Sequence, residues 1–123
     1  MEMDNNISGI PGDMAEYVNA EDALKRVGGN AKLYKTLLKS FSNNTYMAPL
    51  SEQLSAGDIE SAAKTAHTIK GVCANLSLKK VNTIAATLEQ ELKNSLPYQN
   101  SYDELSAAVE KTLQYIAIYS DSM

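Results

Sequence analysis

The residues of this chain that could carry chemistry lie around its only histidine, His67, with Lys70 three and Gly71 four residues further on. Residues at these spacings share one face of a helix, so the Lys70 side chain can reach the surface around the imidazole. A neutral imidazole has one ring nitrogen with a free lone pair, which can attack phosphorus. The lysine would neutralise part of the charge of a phosphoryl group carried on the ring.

Other interpretations of these positions remain open. His67 could be an ordinary surface residue, and Lys70 a solvated lysine at the edge of the core. No metal site is expected, because no second histidine exists and the single cysteine, Cys73, falls on the apolar side of the helix. A catalytic triad is not indicated either, because the sequence contains no base and nucleophile at a suitable local spacing.

Gly71 favours the nucleophile. Glycine within a helix costs about 0.5–1 kcal/mol relative to alanine. A helix end at Gly71 is the alternative, but Cys73 and Leu76 keep the apolar phase of the preceding residues, so the helix is predicted to continue. A glycine retained there, one turn from His67, removes bulk where a partner must approach.

Charge is distributed unevenly along the chain. Between Glu60 and Glu89 there is no acidic residue, whereas four lysines fall there: Lys64, Lys70, Lys79 and Lys80. Such local positive charge raises the concentration of anionic groups near His67, although chance on a solvated face gives the same pattern. The net charge of −4 disfavours nucleic acid as a partner, since that affinity comes from a basic surface.

Composition predicts one soluble cytoplasmic domain. The 123 residues are 44% hydrophobic and 21% charged, and no apolar run approaches the ~18 residues of a membrane span. The first six residues lack the basic start and apolar stretch of a signal peptide. Cys73 cannot form an internal disulfide, which fits a reducing compartment. We expect a free-standing protein, although a fragment of a longer protein would look the same.

Helix signals recur along the whole chain. Residues 1–9 are predicted to be a flexible tail and residues 10–123 a helical domain. Asn19, Asn30 and Asp58 are suited to N-cap positions, and Gly28-Gly29 and Gly57 to helix ends. A first helix begins near Gly12 or Asp13, with a break before Asn19. The second carries an apolar stripe that is expected to face the core: Leu33, Tyr34, Leu37, Leu38 and Phe41, continued by Leu50 and Leu54. Pro49 should bend or split this helix.

The third helix presents its histidine away from its apolar stripe. At 100° per residue, Ile59, Ala62, Ala66, Ile69, Cys73 and Leu76 share a face, and His67 lies about 130° from its centre. The fourth helix carries Val81, Ile84, Ala85, Leu88 and Leu92, and the fifth Tyr102, Leu105, Val109, Leu113 and Ile116. With short connections, these patterns predict an all-α fold, an antiparallel up-down-up-down four-helix bundle with an additional short N-terminal helix.

The segment Ala66-His67-Thr68-Ile69-Lys70-Gly71, followed by Asn75-Leu76, resembles the signature of histidine-containing phosphotransfer (HPt) domains. The resemblance extends over roughly residues 10–95. It implies that His67 is the phosphoacceptor, with Lys70 and Gly71 assisting it. In some members a polar side chain of the next helix hydrogen-bonds near the acceptor, and Glu89 or Gln90 holds that place here. Ser77 stands where the family usually has glycine, so the turn there could differ.

The resemblance also implies a function and partners. The chain is similar to proteins that carry a phosphoryl group and exchange it with an aspartyl phosphate of response-regulator receiver domains. These carriers act in phosphorelays to which hybrid sensor histidine kinases supply the phosphoryl group. The chain itself is expected to hold no cofactor, and the magnesium ion is expected on the receiver domain. The sequence contains no glycine-rich nucleotide loop, so the chain is not expected to bind ATP. Docking is expected around Lys64, Ala74 and Asn75. The alternative is a helical protein-interaction module in which His67 is not phosphorylated.

Overall fold

The computed structural model describes residues 12–121, and this part of the chain is helical without strands. Its helices are α1 (Met14–Tyr17), α2 (Ala20–Arg26), α3 (Ala31–Asn43), α4 (Met47–Ser55), α5 (Ile59–Asn75), α6 (Lys79–Lys93) and α7 (Gln99–Asp121). The flexible tail expected for residues 1–9 lies outside the described residues. In residues 12–121, none of the helices combines the length and the hydropathy that crossing a membrane requires.

Local sequence signals set the helix boundaries. The side chains of Asn19, Asn30 and Asp58 each accept a hydrogen bond from the backbone N–H three residues later, at 3.0, 2.9 and 3.2 Å. Each bond satisfies a donor that the first helical turn leaves unpaired. Gly28-Gly29 and Gly57 follow α2 and α4 with positive φ, a conformation that glycine adopts without steric cost. The predicted N-caps and helix ends are therefore confirmed.

The predicted second helix is split in two. The chain leaves α3 at Asn43 and re-enters a helix at Met47, and between them Tyr46 adopts a left-handed φ of 67°. Pro49 lies in the first turn of α4, where its missing N–H removes no intrahelical bond. The helix thus breaks before the proline, and Leu50 is fully buried on the far side of the break.

The longer helices pack around one hydrophobic core. Helix α5 packs against α4 and α6, α6 packs against α7, and α7 packs against α3, while α1 lies on α6 and α7 and α2 lies on α3. This arrangement is a helical bundle, as predicted. The alternating direction of successive helices remains a prediction from their short connections.

The stripe predicted on α3 is too broad. Tyr34, Leu38 and Phe41 are buried, but Leu33 and Leu37 are 42% and 37% exposed, so the prediction that they face the core is wrong. The stripe spans a wider arc than one neighbouring helix can cover, and the three inner residues already occupy the interface.

The end of α5 is held in place by polar contacts from other helices. The buried Tyr34 hydroxyl donates to the carbonyl oxygen of Leu76 at 2.7 Å. In the following turn Ser77 has a φ of 57°, and its hydroxyl donates to Asp22 Oδ2 at 2.6 Å. The backbone N–H of Asn19 donates to the Ser77 carbonyl at 3.1 Å. Serine thus adopts the left-handed conformation that glycine takes more easily, and its hydroxyl contributes a contact that glycine lacks.

Candidate functional site

The packing of α5 turns His67 to the solvent. The predicted inner positions Ala62, Ala66, Ile69, Cys73 and Leu76 are buried, and Ile59 is half-buried. His67 lies on the other side of the helix, and its side chain is 65% exposed. The exposure predicted from the helical periodicity is therefore confirmed.

Beneath the imidazole lies Glu89, a carboxylate on α6 that is only 1% exposed. It is flanked by Leu88 and Leu92 in the buried face of α6. Glu89 Oε2 lies 3.0 Å from Nδ1 of His67. The contact with the imidazole that was expected of Glu89 or Gln90 is thus made by Glu89.

Two ammonium groups hold the same carboxylate. Nζ of Lys70, from α5, lies 2.8 Å from Glu89 Oε1, and Nζ of Lys93, from α6, lies 2.9 Å from Glu89 Oε2. Burial by itself raises the pKa of Glu89, but the interactions with Lys70, Lys93 and His67 outweigh burial and lower this pKa to about 2. Glu89 is therefore ionised at neutral pH.

The charge of Glu89 determines which nitrogen of His67 is free. An ionised carboxylate can only accept hydrogen bonds, so Nδ1 of the neutral ring must carry the proton and donate to it. The free lone pair of the ring then lies on its other nitrogen, Nε2. The site thus presents a nucleophilic nitrogen in an exposed side chain of fixed tautomer.

Open space surrounds Gly71. Helix α5 continues beyond it to Asn75, so a helix end at this glycine is excluded. A Cβ atom built on Gly71 would meet nothing within 4 Å, and the residue is exposed. The Asn82 side chain of α6 donates to the carbonyl oxygen of Lys70 at 2.9 Å and fixes this part of α5 against α6. Internal packing therefore does not require glycine here.

A groove between α5 and α6 runs alongside the imidazole. Apolar side chains line it beside polar ones, and we call it the α5–α6 groove: Ile59, Ala63, Leu92, Lys64, His67 and Lys93 are among its residues. Lys64 is exposed and lies 4.0 Å from Glu60, one helical turn earlier. This groove has the mixed character of a transient protein interface.

The other predicted site residues lie further from the imidazole. Ala74 is exposed, two helical turns from His67, and Asn75 lines a second groove with Leu37 and Val72, between α5 and α3. Gln90 is exposed, and its backbone oxygen accepts a hydrogen bond from Asn94 at 2.8 Å. The structure thus brings Lys64 and Glu89 to the groove of His67 and places Asn75 in another.

Sequence reasoning missed Lys93. Its spacing of four residues from Glu89 is the one signal that could have indicated it, because residues four apart on a helix are neighbours. That signal becomes informative only once Glu89 is known to lie beneath His67, and this relationship depends on the packing of α5 against α6.

The family model for the Hpt domain matches residues 41–117, more than half of the chain, and the chain therefore belongs to the Hpt domain family. The match covers α4–α6 and most of α7, whereas residues 10–40, to which the resemblance had extended, lie outside it. No curated protein and no solved structure matched significantly. Hpt domains are phosphotransfer carriers that work with receiver domains and kinases in phosphorelays.

Proposed function

We propose that this protein carries a phosphoryl group on His67 between the aspartyl phosphates of receiver domains. The observation that supports this most directly is the pairing of an exposed imidazole with a buried, ionised carboxylate. The 3.0 Å contact between Nδ1 and Glu89 leaves Nε2 as the nucleophile. The position of this pair within the residues matched by the Hpt family supports the same proposal.

The transfer exchanges one bond for another. The Nε2 lone pair attacks phosphorus, an N–P bond forms, and the P–O bond to the aspartyl carboxylate breaks as that carboxylate leaves. Nδ1 keeps its proton, so the phosphorylated ring becomes positively charged. Glu89 stabilises this charge at the moment it develops, because its carboxylate is already in place and shielded from water. The reverse reaction passes the group to a second receiver.

Lys70 and Gly71 assist at the phosphoryl group. The Lys70 side chain is 33% exposed and begins one turn from His67, so its ammonium can reach a group carried on Nε2. Gly71 keeps the approach open. Most of the electrostatic stabilisation, and the magnesium ion, are assigned to the receiver domain.

The partner surface follows from the face that carries His67. Receiver domains would dock on exposed residues of α5, with Lys64, Ala74 and Asn75 in contact, and would place the aspartyl phosphate over the imidazole. A hybrid sensor kinase would supply the phosphoryl group through its own receiver. We assign the protein to the cytoplasm, where such partners meet, and assign it no ATP site, no nucleic acid and no membrane partner.

Incubation with a phosphorylated receiver domain tests this function. We expect an adduct that is labile in acid and stable in base, located on His67 and lost in His67→Ala. The variant should keep the helical circular dichroism, since the side chain it removes is exposed. Binding of receivers without any adduct would support the helical interaction module instead and overturn the carrier function.

A further inference from the structure

Lys93 contacts the buried carboxylate of Glu89, and both residues lie on α6, the helix that packs against the helix of His67. Its Nζ lies 2.9 Å from Glu89 Oε2, the same oxygen that contacts Nδ1 of His67, whereas Lys70 lies 2.8 Å from Oε1. We propose that Lys93 is a positioning residue, which keeps Glu89 charged and in place beneath the imidazole while Lys70 moves to the phosphoryl group. This inference rests on the proposed phosphorylation of His67.

The charges explain why two lysines are needed. When the ring is in the neutral form that can attack phosphorus, one carboxylate faces it together with two ammonium groups. A phosphoryl group adds two negative charges near neutral pH and makes the ring positive, so the charges of the carboxylate, the two ammonium groups, the ring and the phosphoryl group then sum to zero. One ammonium on each anion gives every negative group a direct cationic partner, and opposite charges interact strongly at short range in a partly buried site.

Geometry decides which lysine moves. Lys70 lies on α5 with His67, one turn away, so its side chain can turn from Glu89 to a group on Nε2. Lys93 is four residues from Glu89 on α6 and contacts the oxygen nearest the ring. Without Lys93, departure of Lys70 before the transfer would leave a carboxylate that is 1% exposed facing only the neutral ring, and an uncompensated buried charge is costly. Lys70 would then stay on Glu89, and the incoming phosphoryl group would lack its cation.

Phosphoramidate provides a test without any partner protein. The phosphoramidate nitrogen carries three protons in its –NH3+ form. The N–P bond to Nε2 forms, the bond from phosphorus to that –NH3+ group breaks, and ammonia leaves, while Nδ1 keeps its proton. Labelling of His67 is followed by intact-mass spectrometry at neutral pH. We expect Lys93→Met and Lys93→Gln to label about tenfold more slowly than the wild type, the effect of losing one interaction with a charged group.

A double-mutant cycle with Glu89→Gln separates positioning from direct contact. The neutral amide does not retain Lys70, so Lys93→Met should change labelling by less than about twofold in that background. Equal slowing in both backgrounds would mean that Lys93 contacts the phosphoryl donor directly, and this would overturn the positioning role. The absence of slowing in the wild-type background would also overturn it.

A charge-matched control lies on the same helix. Lys80 is exposed near the start of α6 and lines a different groove, with Tyr17 and Lys111. Lys80→Met removes one positive charge far from Glu89 and should label at the wild-type rate, so a general effect of net charge would be visible there. The ¹⁵N NMR shifts of the His67 ring in unphosphorylated Lys93→Met should still show a proton on Nδ1, because Lys70 remains on Glu89.

The test of the Lys93 proposal can be distinguished from the test of the proposed carrier function. Labelling by phosphoramidate, together with failure of phosphorylated receivers to transfer, would refute the carrier role and leave the Lys93 cycle informative. Normal transfer from receivers without the expected cycle would refute the role of Lys93 alone. Failure of phosphoramidate to label His67 in the wild type would overturn the Lys93 proposal, since it requires that phosphorylation.

Discussion

Nδ1 of His67 lies 3.0 Å from Oε2 of Glu89, so an exposed ring on α5 is fixed by a carboxylate buried in the face of α6. The two side chains are 65% and 1% exposed. A histidine on a surface helix normally samples several orientations and both tautomers. Here one orientation and one tautomer are selected by a residue from the neighbouring helix, and both therefore depend on how α5 and α6 pack.

Glu89→Met should slow transfer from a phosphorylated receiver by about 10- to 100-fold, because Nδ1–H loses a charged acceptor worth roughly 1.5–3 kcal/mol. Glu89→Gln keeps an oxygen that can accept from Nδ1–H and should lose less activity. Rates are measured by the appearance of label on His67, with circular dichroism as the check on folding. Equal rates for the wild type and Glu89→Met would show that the carboxylate has no part in the transfer.

Acid should destabilise the wild type more than Glu89→Gln. Interactions with Lys70, Lys93 and His67 hold the pKa of Glu89 at about 2, below its ordinary 4.5. A folded-state pKa below the unfolded one gives stability that is complete above about pH 4.5 and is lost as the pH falls towards about 2. Urea unfolding at pH 5 and at pH 3 should therefore show a larger drop in the free energy of unfolding for the wild type. A drop of equal size in Glu89→Gln would contradict the lowered pKa.

The features that short-range chemistry determines could be predicted from the sequence. An N-cap needs a side-chain oxygen three residues before a backbone N–H, and Asn19, Asn30 and Asp58 supply one. The exposure of His67 follows from a helical period that is visible over seventeen residues of α5. In each case the deciding partner lies within the same helix.

The features that depend on a second helix could not be predicted. The exposure of Leu33 and Leu37 depends on how much of α3 its neighbours cover. Pro49 predicts a bend or split of this helix, but the position of the break at Tyr46 could not be predicted, because no glycine in that segment indicates it. Lys93 enters the site only because α6 brings Glu89 beneath His67, a contact between residues that are 22 positions apart.

The turn after α5 offers a comparison of two substitutions at Ser77. Ser77→Ala keeps the left-handed φ of 57° with its steric cost and loses the 2.6 Å hydrogen bond to Asp22. Ser77→Gly loses the same bond but relieves the backbone, so it should be more stable than Ser77→Ala by about 1 kcal/mol. Urea unfolding checks this order. Greater stability of Ser77→Ala would show that the backbone conformation carries no cost here.

Tyr34→Phe should destabilise the bundle by about 1–3 kcal/mol, since it leaves the buried carbonyl oxygen of Leu76 without the hydroxyl that now donates at 2.7 Å. Tyr102→Phe is the matched control, because Tyr102 is half-buried on α7 and its change should stay within about 0.5 kcal/mol. Both are measured by urea unfolding. A control that loses as much stability as Tyr34→Phe would assign the effect to packing instead of to the hydrogen bond.

Gly71→Leu should separate stability from access. A Cβ atom at this position would meet nothing within 4 Å, and leucine forms helices better than glycine by up to about 1 kcal/mol, so the melting temperature should hold or rise. The same side chain projects from the surface one turn from His67 and should obstruct a receiver domain.

Transfer from a phosphorylated receiver should therefore fall far more than labelling by phosphoramidate, which is small enough to pass the leucine. Gly71→Ala, with one added methyl group, should lie between the wild type and Gly71→Leu in transfer rate. Receiver transfer by Gly71→Leu at the wild-type rate would show that no partner approaches over this residue, and an equal loss with both donors would mean that leucine disturbs the imidazole itself.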